Sequence, residues 1–194
     1  MKFCVFGAAS AHVDEVYIKA VEELGEKMAK RGHSLVFGAG STGLMGAAAR
    51  GVKRAGGYVH GVIPHFFKEH GLEVIFDDCD KLTFTEDMAQ RKNTMENECD
   101  AFIIVPGGVG TFEEFFQVLT LKQLGRHKKA IAIYDINGFF IELEKFLQEV
   151  AEKKFVTYET TKLYKFFNSA DELLTYLEGY KFDDENWKKF KMGG

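Results

Sequence analysis

Ala101-Phe-Ile-Ile-Val-Pro-Gly-Gly-Val-Gly-Thr-Phe-Glu-Glu-Phe-Phe116 is the stretch from which the fold can be read. Its apolar run, Phe102 to Val105, predicts a strand buried on both faces, as in a parallel sheet. Pro106 ends the ladder because it has no N–H to donate. Gly107, Gly108 and Gly110 imply either backbone at positive φ or backbone that another group must approach closely. Phe112 to Leu124 reads as a helix, with Glu113 and Glu114 in its first turn. A strand, a glycine turn and a helix N-terminus together make an anion site, since free N–H groups and the positive dipole end face the turn. Thr111 can add a hydroxyl. Taken alone, the same cluster also fits plain turn geometry with ordinary acidic capping.

Working outward, the alternation repeats. Lys2–Phe6 is a short apolar strand, followed by the small-residue turn Gly7-Ala-Ala-Ser10. Asp14 to Arg31 has helical period, with Val16, Ala20, Leu24 and Met28 on one stripe and Gly32 placed to end it. Ser10 is either a phosphate or ribose contact or a cap for that helix. Ser34–Phe37 is a second strand. Gly38-Ala-Gly-Ser-Thr-Gly-Leu-Met-Gly46 is a second glycine turn, leading into a helix from Leu44 to Ala55. No Lys follows its last glycine, so it is not a Walker loop. It matches the dinucleotide fingerprint poorly, which disfavours a nicotinamide dehydrogenase. Tyr58–Ile63 is a third strand and Glu73–Phe76 a short fourth. The loop between them, Pro64 to Leu72, carries His65 and His70, to which nothing adds a metal set. Thr85 to Glu98 reads as a helix capped by Thr85. On it Met88, Arg91 and Met95 share one face, so Arg91 either snorkels to the surface or meets an anion in a cleft. Ala130–Tyr134 is a strand, Phe139–Lys153 a helix that begins at Asn137-Gly138, Leu163–Phe167 a last strand and Ala170–Leu177 a last helix.

Alternating strands and helices predict an α/β, Rossmann-like three-layer fold, a parallel sheet flanked by helices. One nucleotide-binding domain over 1–178 and a weakly ordered tail over 179–194, with Trp187, are expected. The carboxyl-end turns Gly7–Ser10, Gly38–Gly46 and Pro106–Thr111 line one rim, where such folds bind ligands. Composition narrows the field: 46% hydrophobic and 28% charged residues are globular values, and a net charge of -4 argues against a nucleic-acid polymer as partner. Cys4, Cys79 and Cys99 are odd in number and far apart, which points to buried thiols in a reducing compartment. No apolar run is long enough for a membrane span or a signal peptide, so a cytoplasmic protein is expected.

Pro106–Glu114 resembles the PGGxGTxxE motif of the Lonely Guy phosphoribohydrolases, long labelled "lysine decarboxylase". Asp87-Met-Ala-Gln-Arg-Lys92 is similar to that family's Arg-Lys motif, Gly38–Gly46 to its GGGxxGLMG turn, and Gly61-Val-Ile-Pro64 also fits. The resemblance, over roughly residues 2–178, implies a homodimer that hydrolyses the N-glycosidic bond of a nucleoside 5′-monophosphate, AMP or an N6-modified AMP such as a cytokinin nucleotide, without metal or other cofactor. Carried over by position, Arg91 and Glu114 are the catalytic pair, and Gly107, Gly108, Gly110 and Thr111 hold the phosphate. Ser10, Gly40, Gly43, Met88 and Lys92 complete the implied substrate contacts. The departures, Ala39 for the middle glycine, Ala89 for a frequent His and Gly7-Ala-Ala-Ser10 for Cys-Gly-Ser-Ser, touch the base pocket more than the reaction. A decarboxylase would need a Schiff-base lysine, and none stands out. The alternative on the same fold is a non-catalytic carrier of a nucleotide or of molybdenum cofactor. The Phe-rich composition and the flank Phe115, Phe116, Leu119 suggest an apolar interface.

Overall fold

The computed structural model describes residues 1–69 and 74–183. The calls on His70 and Trp187 therefore lie outside the described residues. Seven strands, β1 (Lys2–Phe6), β2 (Ser34–Phe37), β3 (Val59–Pro64), β4 (Lys81–Thr85), β5 (Ala101–Ile104), β6 (Ala130–Tyr134) and β7 (Lys165–Phe167), form one sheet in the order β4-β3-β2-β1-β5-β6-β7. Every pairing is parallel. Among the described residues six helices connect them, α1 (Glu15–Lys30), α2 (Gly43–Arg54), α3 (His65–Glu69), α4 (Met88–Glu98), α5 (Val109–Gln123) and α6 (Ile141–Glu152), and α7 (Ala170–Gly179) follows the last strand. A 3-10 helix, Tyr158–Lys162, precedes β7.

Strand period sorts the core into two layers. Phe3, Val5, Leu35, Phe37, Ile103 and Val105 face α1, α2 and α7. Cys4, Phe6, Val36, Phe102, Ile104 and Ile131 face α4, α5 and α6. The chain starts in the middle of the sheet, builds outward to β4, then returns to lay β5 against the other side of β1. The strand order thus reverses between β1 and β5, and the crevice beyond their carboxyl ends is where such sheets bind ligands.

Several boundaries differ from those read in the sequence. Of the expected strand Glu73–Phe76, the described residues 74–76 form no ladder: Ile75 makes an isolated antiparallel bridge to Gly40, and Val74 is exposed. The fourth strand is Lys81–Thr85, whose edge position leaves one side wet and its polar residues without a strand signature. Thr85 is used in that ladder, so Asp87 caps α4 instead, accepting from Gln90 N at 2.7 Å. In α1, Val16 is exposed and the buried stripe is Val21, Leu24, Gly25 and Met28. That helix ends as expected: Gly32, at φ 78°, donates to Ala29 O, and His33 donates to Met28 O. α5 begins at Val109, which moves Glu113 and Glu114 into its second turn. α6 begins at Ile141 because Asn137 and Gly138 both sit at positive φ and the Asp135 carboxylate accepts from Phe140 N. Of the apolar flank on α5, Phe115 and Leu119 fill the core and only Phe116 is exposed.

Candidate functional site

The switch-point crevice is a cleft of about 340 Å³. Gly7 to Ser10 line it from β1, Met45 from α2, Phe67 from α3, Met88 and Arg91 from α4, and Gly108, Gly110, Thr111 and Glu114 from α5. The loop after β1 is pinned at its start. Ala8 N donates to Pro106 O, and Leu44 N and Met45 N both donate to Ala8 O. Gly43, at φ 60°, allows this contact, since a Cβ there would lie 2.3 Å from Ala8 O. Its role is to seat the loop rather than to face the cleft. Gly40 is likewise outside the cleft, paired with Ile75.

The glycines after β5 act through close approach rather than positive φ. Gly108 is the N-cap of α5 at φ -94°. A Cβ at Gly108 or Gly110 would meet nothing within 4 Å, so their bareness leaves open space in front of the first N–H groups of the helix. Gly107 differs: a Cβ would strike Thr111 Oγ1 at 2.1 Å, so it lets the threonine hydroxyl pack under the turn. Gly107 itself lines an adjoining hollow of about 330 Å³, which shares Ala8, Ser10 and Gly108 with the cleft and reaches Asp14, Tyr17 and Phe139. Ser10 Oγ accepts from His12 N, so it shapes its own loop while bordering both spaces.

Arg91 does not snorkel. Its side chain is 5% exposed, and Nη2 donates to Gly38 O at 2.8 Å. A Cβ at Gly38 would fall 1.8 Å from that nitrogen, so the bare glycine is what lets the guanidinium sit there. Nη1 lies 3.7 Å from Met88 Sδ, and the guanidinium carbon 5.3 Å from the centre of the Phe67 ring. Nε is buried without a partner among the described residues. No carboxylate pairs with Arg91 among them either. A buried guanidinium keeps its charge, so this one can take an anion in the cleft.

The two glutamates of α5 separate cleanly. Adjacent helical residues point about 100° apart. Glu114 is half-buried and lines the cleft. Glu113 is outside it, bound to Lys92 Nζ at 2.5 Å, which also takes Lys92 away from the implied substrate contacts. Behind Glu114 lies Cys4, whose thiol is raised well above its ordinary value by burial, then by the hydrogen bond and charge of Cys99, then by the Glu114 charge. It is a packing thiol, with no reactivity to lend. His65 stacks on Phe84 at 5.0 Å, and no group of three His, Cys, Asp or Glu suited to a metal occurs among the described residues. Two lining residues, Met45 and Phe67, were not singled out in the sequence. Met45 stood inside a quoted motif, but α3, which carries Phe67, has no periodic signal at five residues.

Fold and cleft define a Rossmann-like α/β protein with a cleft at the switch point of its sheet. The chain belongs to the Lonely Guy family, whose model, described as "Possible lysine decarboxylase", matches residues 45–177. It is 34% identical over 185 residues to the cytokinin riboside 5′-monophosphate phosphoribohydrolase LOG7 of Arabidopsis thaliana, covering 94% of this chain and 84% of that one. It is 35% identical to the probable enzyme of the same name, LOGL3, of Oryza sativa subsp. japonica, covering 98% and 92%. Among solved structures, the molybdenum cofactor carrier protein of Chlamydomonas reinhardtii superposes with a TM-score of 0.69 at 25% identity, covering 91% of this chain and 95% of that one. No described helix is long and apolar enough to cross a membrane.

Proposed function

We propose that the protein hydrolyses the N-glycosidic bond of a nucleoside 5′-monophosphate, AMP or an N6-modified AMP, releasing the free base and ribose 5-phosphate. The observation that carries this is the presence in one cleft of Glu114 and of a buried Arg91 that has no carboxylate partner among the described residues. The relatives' printed activity, on cytokinin riboside 5′-monophosphates, supports the reaction class. In this reading the phosphate sits before the N-terminus of α5, held by N–H groups of the Gly108–Thr111 segment and the Thr111 hydroxyl. Being remote from the reacting bond, it supplies binding energy that positions C1′. Met45, Phe67 and Met88 give the base an apolar wall. Arg91 grips an oxygen-rich group with its fork. As the bond from C1′ to the base breaks, positive charge spreads over C1′ and the ring oxygen, and the Glu114 carboxylate stabilises it. The base leaves with the bonding electron pair; Glu114 takes a proton from the water whose oxygen bonds to C1′, and that proton balances the one the base nitrogen takes up.

Incubation with AMP and chromatographic detection of adenine tests the reading. Adenine release from AMP, with adenosine cleaved far more slowly, is expected. Equal efficiency on adenosine would remove the phosphate assignment. The likeness to molybdenum cofactor carriers favours a second reading, a non-catalytic carrier. It predicts no turnover of any common nucleoside monophosphate. A homodimer is part of the proposal, supported by the exposed rings of Phe116, Phe146 and Phe155. Sedimentation showing a stable monomer at micromolar concentration would sink it. The site is proposed to work in the cytoplasm, within one domain over 1–178.

A further inference from the structure

A second and larger cavity, about 510 Å³, opens between α6, the 3-10 helix and the edge strand β7. Glu144, Gln148 and Glu152 border it from α6, and Tyr158, Tyr164 and Phe166 from the other side. The three α6 residues follow one another at intervals of four, which sets the two carboxylates about 12 Å apart along the helix axis with an amide midway. The lysines of α6 are engaged elsewhere: Lys145 pairs with Glu142 at 2.7 Å and Lys153 with Glu149 at 2.5 Å. Glu144 and Glu152 have no ion-pair partner among the described residues. Lys165 also borders the cavity, but its ammonium is turned to the rings of the other layer, 5.2 Å from the Phe167 ring centre and 5.5 Å from that of Tyr176. The ammonium of Lys162 is 5.8 Å from the centre of the Tyr158 ring, so one face of that ring already receives a cation.

Tyr164 adds an independent sign of a ligand. It is 8% exposed, wedged edge-on against Phe115 and Phe166, and it lines the cavity. Its hydroxyl makes no hydrogen bond to any described residue and is not among the fully buried orphan atoms, so it opens on the cavity. Burial, then the Glu144 charge, pushes this phenol up to about 12, so it stays a hydroxyl beside the carboxylate. Carboxylates at two ends, an amide carbonyl between them and aromatic rings opposite are the complement of a flexible chain of methylenes bearing ammonium groups.

We propose that this cavity binds a linear polyamine, with its terminal ammoniums on Glu144 and Glu152, its central nitrogen at Gln148 and its methylenes against Tyr158, Tyr164 and Phe166. The spacing suits an extended triamine and exceeds the reach of a short diamine. Calorimetric titration with spermidine and with putrescine, at fixed ionic strength, tests it. Wild-type protein should bind spermidine saturably, and putrescine at least threefold more weakly. Glu144→Gln and Glu152→Gln should each weaken spermidine about threefold, and the double change about tenfold. Glu172→Gln, the same charge change on the opposite layer, should have no effect. Gln148→Lys places an ammonium in the middle of the stripe and should abolish binding without lowering the melting temperature, so the test does not depend on the glutamine variants staying folded. Absence of saturable binding at millimolar spermidine overturns the proposal. So does equal affinity for the two amines, or a loss on Glu172→Gln as large as on the stripe.

Discussion

Arg91 and Lys122 are both cations buried without a carboxylate partner among the described residues, yet they end in opposite states. Lys122, in the last turn of α5, is fully buried, donates to Leu163 O at 2.7 Å and lies 4.8 Å from the Tyr180 ring centre. Burial pushes its ammonium down to about 7, so near neutral pH it can meet the cost of burial by releasing a proton. A guanidinium has no such exit. Arg91 has no partner for Nε among the described residues. The exposed arginines show the third outcome: Arg50 and Arg54 share Glu22 at 2.7 and 3.0 Å. Burial would raise Glu22, but the bonds from the two arginines outweigh it and hold it below the ordinary value. The same kind of charge is thus neutralised by losing a proton, neutralised by a carboxylate, or kept at the wall of a cleft. Only the last lines the switch-point cleft.

The strongest way to break the comparison is at Glu114, the carboxylate in Arg91's cleft. Glu114→Gln is isosteric and should keep the melting temperature while turnover of AMP falls ~10²–10⁴-fold, the cost of losing a positioned acid/base group. Glu113→Gln, which loses only the exposed pair with Lys92, should retain most of the activity. Single-turnover rates for the two variants decide between them. Wild-type turnover in the 114 variant would leave Arg91 a mere fold anchor.

Arg91→Lys converts one region into the other. A point charge cannot reproduce the fork, and losing a charge-assisted hydrogen bond of about 1.5–3 kcal/mol should lower turnover roughly 10- to 100-fold. Without substrate the lysine should shed its proton as Lys122 does, so the deficit should widen as the assay pH is raised. A pH-independent deficit would show that burial there does not act as argued.

Lys122 itself gives a stability test. Its folded value, about 7, lies below the ordinary 10.5, so across that window the unfolded chain holds a proton that the folded chain does not. Stability from this group therefore rises with pH through the window, with a slope of at most ~1.4 kcal/mol per pH unit. Lys122→Met should flatten that rise and stabilise the protein most at the acid end. Denaturant melts at several pH values would reveal an unchanged slope if the lysine is not the cause.

The smallest expected effect concerns Ala39, buried beside the Arg91 anchor at φ 64°. An L-residue there costs about 1–2 kcal/mol, partly offset by the entropy glycine loses on folding. Ala39→Gly should raise stability by up to about 1 kcal/mol. A fall in melting temperature would mean that the Ala39 methyl, packed near Gly61, contributes more than the strain it brings.

The alternation of apolar runs with helical periods was legible without coordinates because it reflects burial, and burial follows backbone periodicity of 2 and about 3.6 residues. The glycine turns were legible for a similar local reason, since only glycine leaves backbone bare. The edge strand Lys81–Thr85 and the five-residue α3 were not, because a half-wet strand and a single helical turn carry too few residues to show a period. What residue order could not decide was contact between distant segments. Whether Arg91 reached solvent or turned inward depended on Gly38, 53 positions away, offering a carbonyl and no Cβ. That Glu114 rather than Glu113 faces the cleft agrees with the motif resemblance, but the pairing of Glu113 with Lys92 on α4 was decided by the packing of two distant helices. Sequence set the elements and the chemistry available on each. The parallel sheet, by reversing its strand order between β1 and β5, decided which of those groups would meet.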